Sequence, residues 1–124
     1  MEFLIVFLGG GLGSAMRHGV NVLAARHVAS SFPFGTLAIN VLGSFVMGLV
    51  VELLALRMGL PQNLRLFLTT GILGGFTTFS TFSLEAALLH ERGQTALAGG
   101  YVAASVVLGV GALFLGMALV RWGR

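Results

Sequence analysis

Cysteine is absent from the 124 residues of this chain, which excludes disulfides, thiolate metal sites and cysteine nucleophiles. Lysine is absent as well, and the charged residues, seven Arg and four Glu, make up only 9% of the sequence. The arginines form no contiguous basic block, so the pI of about 11.2 does not indicate nucleic-acid binding. The histidines are scattered and the glutamates do not pair at helical spacing, so no enzyme active site is indicated.

Hydrophobic residues make up 56% of the chain, and its mean hydropathy is +0.98. A soluble globule of this size needs more polar side chains to cover its surface, so the composition predicts an integral membrane protein. Four apolar segments are each long enough to cross a bilayer, at residues 3–25, 34–56, 64–89 and 95–120. Their connections are short, which predicts a single all-α membrane domain over residues 1–124.

The first segment has no Lys or Arg before its apolar run, so we expect a retained helix rather than a cleavable signal peptide. The arginines near the span ends divide into Arg57, Arg65, Arg121 and Arg124 on one side of the bilayer and Arg26 and Arg92 on the other. This bias is weak, so either orientation is compatible with it, and a fixed orientation is the default expectation.

Glycines within the spans permit close approach of the helices. Four short helices enclose little space, so a pathway for a polar substrate is expected between copies of the chain. The sequence therefore predicts an oligomer.

One arginine lies deep in the first span. Arg17 is ~21 Å along the helix from Phe3, which is a costly position for a charge. Its side chain can snorkel toward the Arg26 end of the span, or it can line a water-filled vestibule. In a vestibule, a fixed cation would concentrate anions and repel cations.

The second span contains Asn40, with Ser44 one turn further along the same face. The Asn40 amide offers two N–H donors. An asparagine within a membrane can simply hydrogen-bond one helix to another, so a structural role and a role in an ion pathway both stay open. Glu52 lies near the Arg57 end of the span, where a carboxylate needs no functional explanation.

The third span has the densest cluster of polar residues. A glycine pair is followed within nine residues by five hydroxyl side chains, in the order Gly74, Gly75, Thr77, Thr78, Ser80, Thr81 and Ser83. Such a cluster predicts a helix that is broken at membrane depth, where unwound backbone must meet protein, water or an ion. Carbonyls freed at Gly74 and Thr77 could coordinate a small cation such as Na⁺ across a two-fold axis.

Phe79 and Phe82 share one face of the third helix. Such a pair is usually packing, but ring edges beside hydroxyl and amide donors can also replace part of the water shell of a small anion. In the fourth span, Tyr101 and Ser105 are one turn apart and could complete the lining. Glu85 is a carboxylate near the end of the third span, either interfacial or a partner at a pore.

Three motifs, GGGLGSAMRH, FGTLAINVLGSFVMG and GILGGFTTFSTFSLE, together resemble the Fluc/CrcB family of fluoride channels over nearly the whole chain. The resemblance implies a dual-topology antiparallel homodimer in the cell inner membrane. Two fluoride pores would follow the subunit interface, and a structural Na⁺ would lie on the two-fold axis. The carbonyls of Gly74 and Thr77 would hold Na⁺, Phe79 and Phe82 would be paired rings facing the anion, and Asn40 would be the pore amide.

The resemblance also implies a polar track through the pore. Its members would be Ser80, Thr81, Ser83, Tyr101 and Ser105, with Arg17 at a vestibule and Glu85 near a pore end. Some relatives carry another hydroxyl one turn beyond Ser105, where this chain has Gly109. The implied function is passive fluoride export that relieves fluoride toxicity, with no ATP site or proton-relay carboxylate required.

Two other classes of protein fit part of the sequence. A four-helix exporter of the small multidrug resistance type would need a carboxylate deep in the first span, where this chain has Arg17. A non-transporting membrane scaffold would account for the glycines but not for the clustered hydroxyls and the phenylalanine pair.

Overall fold

Four largely helical segments make up most of the computed structural model, which describes residues 1–28, 32–56 and 60–123. The helices that are long and apolar enough to cross a membrane are Glu2–His27, Phe34–Leu56, Gln62–Glu91 and Thr95–Trp122. These described ranges contain no β-strand. The prediction of an all-α protein with four membrane-spanning helices is therefore confirmed. Arg57 and Arg124, which the charge comparison used, lie outside the described residues.

The third span is divided into several pieces. In chain order the elements are α1 (Glu2–His27), α2 (Phe34–Leu56), α3 (Gln62–Leu66), a π-helical segment (Phe67–Leu73), α4 (Gly74–Phe76), α5 (Phe79–Glu91) and α6 (Thr95–Trp122). Thr77 has φ −81° and ψ 158°, and Thr78 has φ −149° and ψ 123°. The backbone is therefore extended for two residues near the middle of the third span. We call this pair, Thr77 and Thr78, the extended pair.

The helices α2 and α6 pack against each other through glycines. A Cβ atom added to Gly48 would meet the backbone of Leu113, and one added to Gly116 would meet the carbonyl of Phe45. Bare backbones are therefore in contact, as is usual where membrane helices pack through small residues. Residues of both helices line a common cavity.

Glycines also bring α1 against the irregular part of the third span. A Cβ atom on Gly13 would meet the Ile72 carbonyl and would lie 2.8 Å from the Phe76 nitrogen. A Cβ atom on Gly75 would meet the Gly10 carbonyl. The backbone just before the extended pair is therefore pressed directly on α1.

An ion pair joins α2 and α6 close to their C-terminal ends. Arg121 Nε donates to Glu52 Oε1 at 2.9 Å, and Glu52 is only 7% exposed. A buried carboxylate is costly unless it is paired, so this contact accounts for Glu52 as a structural residue.

Large apolar side chains cover the outside of the bundle. Phe3 is 92% exposed, Phe7 74% and Val107 68%. A surface of this kind is incompatible with water and compatible with lipid acyl chains.

Candidate functional site

Two hydrogen bonds join Asn40 on α2 to Thr78 of the extended pair. Asn40 Nδ2 donates to the Thr78 carbonyl at 3.0 Å, and the Thr78 N–H donates to Asn40 Oδ1 at 2.8 Å. The side-chain amide therefore pairs with both backbone polar groups of Thr78. Because an amide nitrogen carries two N–H groups, Asn40 keeps one donor that this exchange does not use.

Two carbonyls before α5 lose the donors that a continuous helix would give them. In an α-helix the Thr78 N–H would donate to Gly74, and the Thr81 N–H would donate to Thr77. The Thr78 N–H goes to Asn40 instead, and the Thr81 N–H donates to Thr78 Oγ1 at 3.3 Å. Gly74 is also exposed on the surface of the chain. Its carbonyl thus lies near the middle of a membrane span without its usual helical donor.

Arg17 on α1 bonds to a third carbonyl at the same level. Its Nε donates to the Gly75 carbonyl at 3.2 Å, and the Ser14 hydroxyl donates to the same oxygen at 3.4 Å. The guanidinium therefore lies against the backbone just before the extended pair. Sequence reasoning missed this contact, which brings a positive charge close to the interruption of the third span.

A cavity of about 310 Å³ opens beside the extended pair. Residues from α2, the third span and α6 form its walls. They include seven polar or aromatic residues that the sequence singled out: Asn40, Ser44, Thr77, Thr78, Phe79, Phe82 and Ser105. The Ser105 Oγ is buried and has no hydrogen-bond partner among the described residues. Leaving a buried hydroxyl unpaired costs about 1–3 kcal/mol, so this group is available to a ligand in the cavity.

A row of aromatic rings leads away from this cavity. The ring centroids of Phe79 and Phe82 are 5.5 Å apart, and those of Phe82 and Tyr101 are 5.2 Å apart, with interplanar angles of 53° and 54°. The edge of an aromatic ring carries partial positive charge. Phe79 lines the cavity and is nevertheless 79% exposed. One wall of the cavity therefore lies at the outer surface of the chain.

A smaller cavity of about 170 Å³ lies at the far end of the ring row. Phe32 lines it and packs edge-on against Tyr101, with ring centroids 5.5 Å apart. Glu85 lines the same cavity, and the buried Tyr101 hydroxyl donates to Glu85 Oε1 at 3.3 Å. The structure thus brings the predicted residues Tyr101 and Glu85 together and connects them to the larger cavity through Phe82.

The remaining hydroxyls that the sequence singled out do not line the walls of these two cavities. Ser80 Oγ is 3.5 Å from Thr78 Oγ1, and Ser83 Oγ donates to the Phe79 carbonyl at 3.0 Å. Ser80 and Ser83 are exposed, whereas Thr81 is partly buried. In the single chain, Ser80 and Ser83 therefore face outward.

Three polar residues at these sites were missed by sequence reasoning. Ser14 reaches the Gly75 carbonyl, and Asn21 and Thr36 line the smaller cavity. Each lies about one helical turn from an intramembrane polar residue that had been noticed, Arg17 or Asn40. Helical spacing from those residues is the signal that could have identified them.

Comparison with known proteins identifies the family. The family described as CrcB-like protein, Camphor Resistance (CrcB), matches residues 4–117 of the chain. This chain belongs to the CrcB-like family. With four apolar spanning helices, it is a multi-pass protein of the cell membrane.

Three relatives resemble the chain over almost its entire length. The fluoride-specific ion channel FluC of Granulibacter bethesdensis is 63% identical over 121 residues, which cover 98% of this chain and 95% of that protein. The fluoride-specific ion channel FluC 2 of Nitrobacter hamburgensis is 57% identical, with 98% of each protein covered. FluC of Rhodopseudomonas palustris strain BisB5 is 54% identical, again with 98% of each covered.

Replacing Asn40 should destabilise the third span. In Asn40→Leu the side chain keeps a similar size but can no longer pair with the Thr78 N–H and carbonyl. We expect the free energy of unfolding to fall by about 1–3 kcal/mol or more, the cost of leaving buried polar groups unpaired. Reversible unfolding in mixed lipid–detergent micelles, followed by circular dichroism, measures the change.

Asn63→Leu is the matched control, because Asn63 is exposed on α3. It should leave the unfolding free energy nearly unchanged. Equal losses in the two variants would show that the Asn40–Thr78 exchange contributes nothing particular to stability.

Proposed function

We propose that the chain forms a fluoride-selective channel that lets fluoride leave the cell passively and thereby relieves fluoride toxicity. The observation that carries this proposal is the larger cavity, where the Asn40 amide, the unpaired Ser105 hydroxyl and the Phe79–Phe82 ring pair converge. The names of the relatives, fluoride-specific ion channels, support it. A channel conducts ions without covalent chemistry, so the chain is not an enzyme.

The chemistry of the cavity suits a small anion. Fluoride is strongly hydrated, so a pore must replace its water shell with compact donors. The second N–H of Asn40, the hydroxyl of Ser105 and the ring edges of Phe79 and Phe82 are donors of this kind. Among the residues that the structure describes, no carboxylate lines this cavity, so none of them places a fixed negative charge there to repel an anion. Arg17, which donates to the nearby Gly75 carbonyl, adds a positive potential that favours an anion.

The proposal includes a homodimer whose two copies are antiparallel. Phe79 lines the cavity but is exposed, and Gly74 presents a carbonyl at membrane depth, where lipid offers no donor. A second copy related by a two-fold axis would cover both features.

The weak arginine bias is compatible with copies of opposite orientation. Because the chain has no cysteine, a Glu91→Cys variant can be labelled from one side of sealed vesicles with a membrane-impermeant thiol reagent. About half of the copies should react in a dual-topology dimer. Labelling of all copies or of none would contradict opposite orientations.

A structural Na⁺ at the dimer centre is a further part of the proposal, held by the carbonyls of Gly74 and Thr77. Both carbonyls lack their usual helical donors, and unwound backbone carbonyls are typical Na⁺ ligands in membrane proteins. No group of His, Cys, Asp or Glu suited to a metal occurs among the described residues, so oxygen ligands from the backbone are the available type. Carbonyls contributed by both copies would let the ion hold them together.

The stability of the dimer should therefore depend on Na⁺. Replacing Na⁺ with N-methyl-D-glucamine at constant ionic strength should lower the free energy of dimer dissociation. The loss should be about 2–3 kcal/mol relative to a sample that contains Na⁺ at ~100 times its dissociation constant. Dilution of the detergent-solubilised dimer, followed by size-exclusion chromatography, measures it. Identical dissociation in the two salts would contradict a structural Na⁺.

Liposomes that contain only the purified protein should release fluoride and retain most of their chloride. In Phe82→Ala the loss of the ring edge should lower the rate of fluoride efflux by roughly tenfold, while the dimer persists on size-exclusion chromatography. Phe3→Ala is the matched control, because Phe3 is 92% exposed and does not line the cavity.

Comparable fluoride and chloride efflux from the wild-type protein would rule out a fluoride-selective channel. Equal efflux from Phe82→Ala and wild type would show that the ring row is not part of the pathway.

A further inference from the structure

We infer that the hydroxyl of Ser44 is a further donor in the anion pathway, supplied by α2 at a level where α6 has none. The inference rests on the proposed function and concerns the same cavity. Ser44 lines that cavity together with Asn40 and Ser105.

The wall formed by α6 offers a single hydroxyl. One turn beyond Ser105, ~6 Å along the helix, the residue on the same face is Gly109, which is buried and lines the cavity. The next residue on this face is Leu113, which is apolar and lines the cavity as well. Beyond Ser105, the residues with which α6 lines the cavity therefore offer no side-chain donor for an anion.

The hydroxyl of Ser44 faces the position that a side chain at residue 109 would occupy. A Cβ atom built on Gly109 would lie 3.8 Å from Ser44 Oγ, which is an ordinary van der Waals separation. Because Gly109 has no side chain, the space is left to the hydroxyl from the opposite wall. Ser44 also follows Asn40 by one turn of α2, so its donor continues the polar face that Asn40 begins.

The three donors thus come from two helices: Asn40 and Ser44 from α2, and Ser105 from α6. A hydroxyl can donate one hydrogen bond to an anion. Without the Ser44 hydroxyl, the part of the cavity between Gly109, Met47 and Leu113 would have only apolar walls. An anion that had shed water would find no hydrogen-bond donor there to replace it, and its passage would slow.

The test is fluoride efflux from liposomes containing the full-length protein. Ser44→Ala should lower the efflux rate roughly tenfold or more, which corresponds to the loss of one hydrogen bond to a charged group. In the double variant Ser44→Ala/Gly109→Ser, a hydroxyl returns from α6 into the same space and efflux should recover. The double variant Ser44→Ala/Gly109→Ala adds a Cβ atom without a hydroxyl and should stay slow. Size-exclusion chromatography checks that every variant retains the assembly of the wild type.

Each outcome decides the inference. If the wild-type protein releases fluoride and Ser44→Ala releases it at the same rate, the inference is overturned and the proposed function stands. If efflux from Ser44→Ala is slow and neither double variant restores it, or both restore it, the effect is one of packing. Either result also overturns the inference. Recovery with Ser but not with Ala at position 109 supports it. Absence of fluoride efflux from the wild-type protein overturns the proposed function and this inference together.

Discussion

The structure depends on one interaction, the pair of hydrogen bonds between the Asn40 side chain and the backbone of Thr78. An interruption in the middle of a membrane span leaves backbone groups that lipid cannot pair. One amide, placed on the neighbouring helix, pairs with both groups of Thr78 at 2.8 and 3.0 Å. Two consequences follow: the carbonyl of Gly74 loses its usual donor, and a new helix begins at Phe79, where Thr78 Oγ1 accepts from the Thr81 N–H.

Close packing of glycines makes this interaction possible and puts it beside a cavity. A Cβ atom on Gly43 would meet the Thr77 methyl group, so glycine at this position lets the extended pair lie close against α2. On the other side, Gly13 and Gly75 bring α1 within reach, and Arg17 can then donate to the Gly75 carbonyl. The cavity opens where the third helix is interrupted, and its walls therefore combine a side-chain amide, hydroxyls and aromatic rings.

Much of this architecture is readable from the sequence, because hydropathy alone marks four spans and intramembrane polar residues are rare enough to be noticed. The partners of those residues are not readable in this way. Asn40 contacts Thr78, 38 positions away, and Arg17 contacts Gly75, 58 positions away, so both contacts depend on how the helices pack. Nor does the sequence separate Ser105, which lines the cavity, from Ser80, which is exposed in the single chain.

The most direct test of this account is the backbone conformation of the extended pair in a lipid bilayer. Solid-state NMR of the protein labelled with ¹³C and ¹⁵N measures the Cα and Cβ chemical shifts of Thr77 and Thr78. We expect shifts of extended backbone at these two residues, between helical shifts at Phe76 and Phe79. Helical shifts at all four positions would mean that the third span is continuous, which would leave the Gly74 and Thr77 carbonyls in their helical bonds and contradict the account.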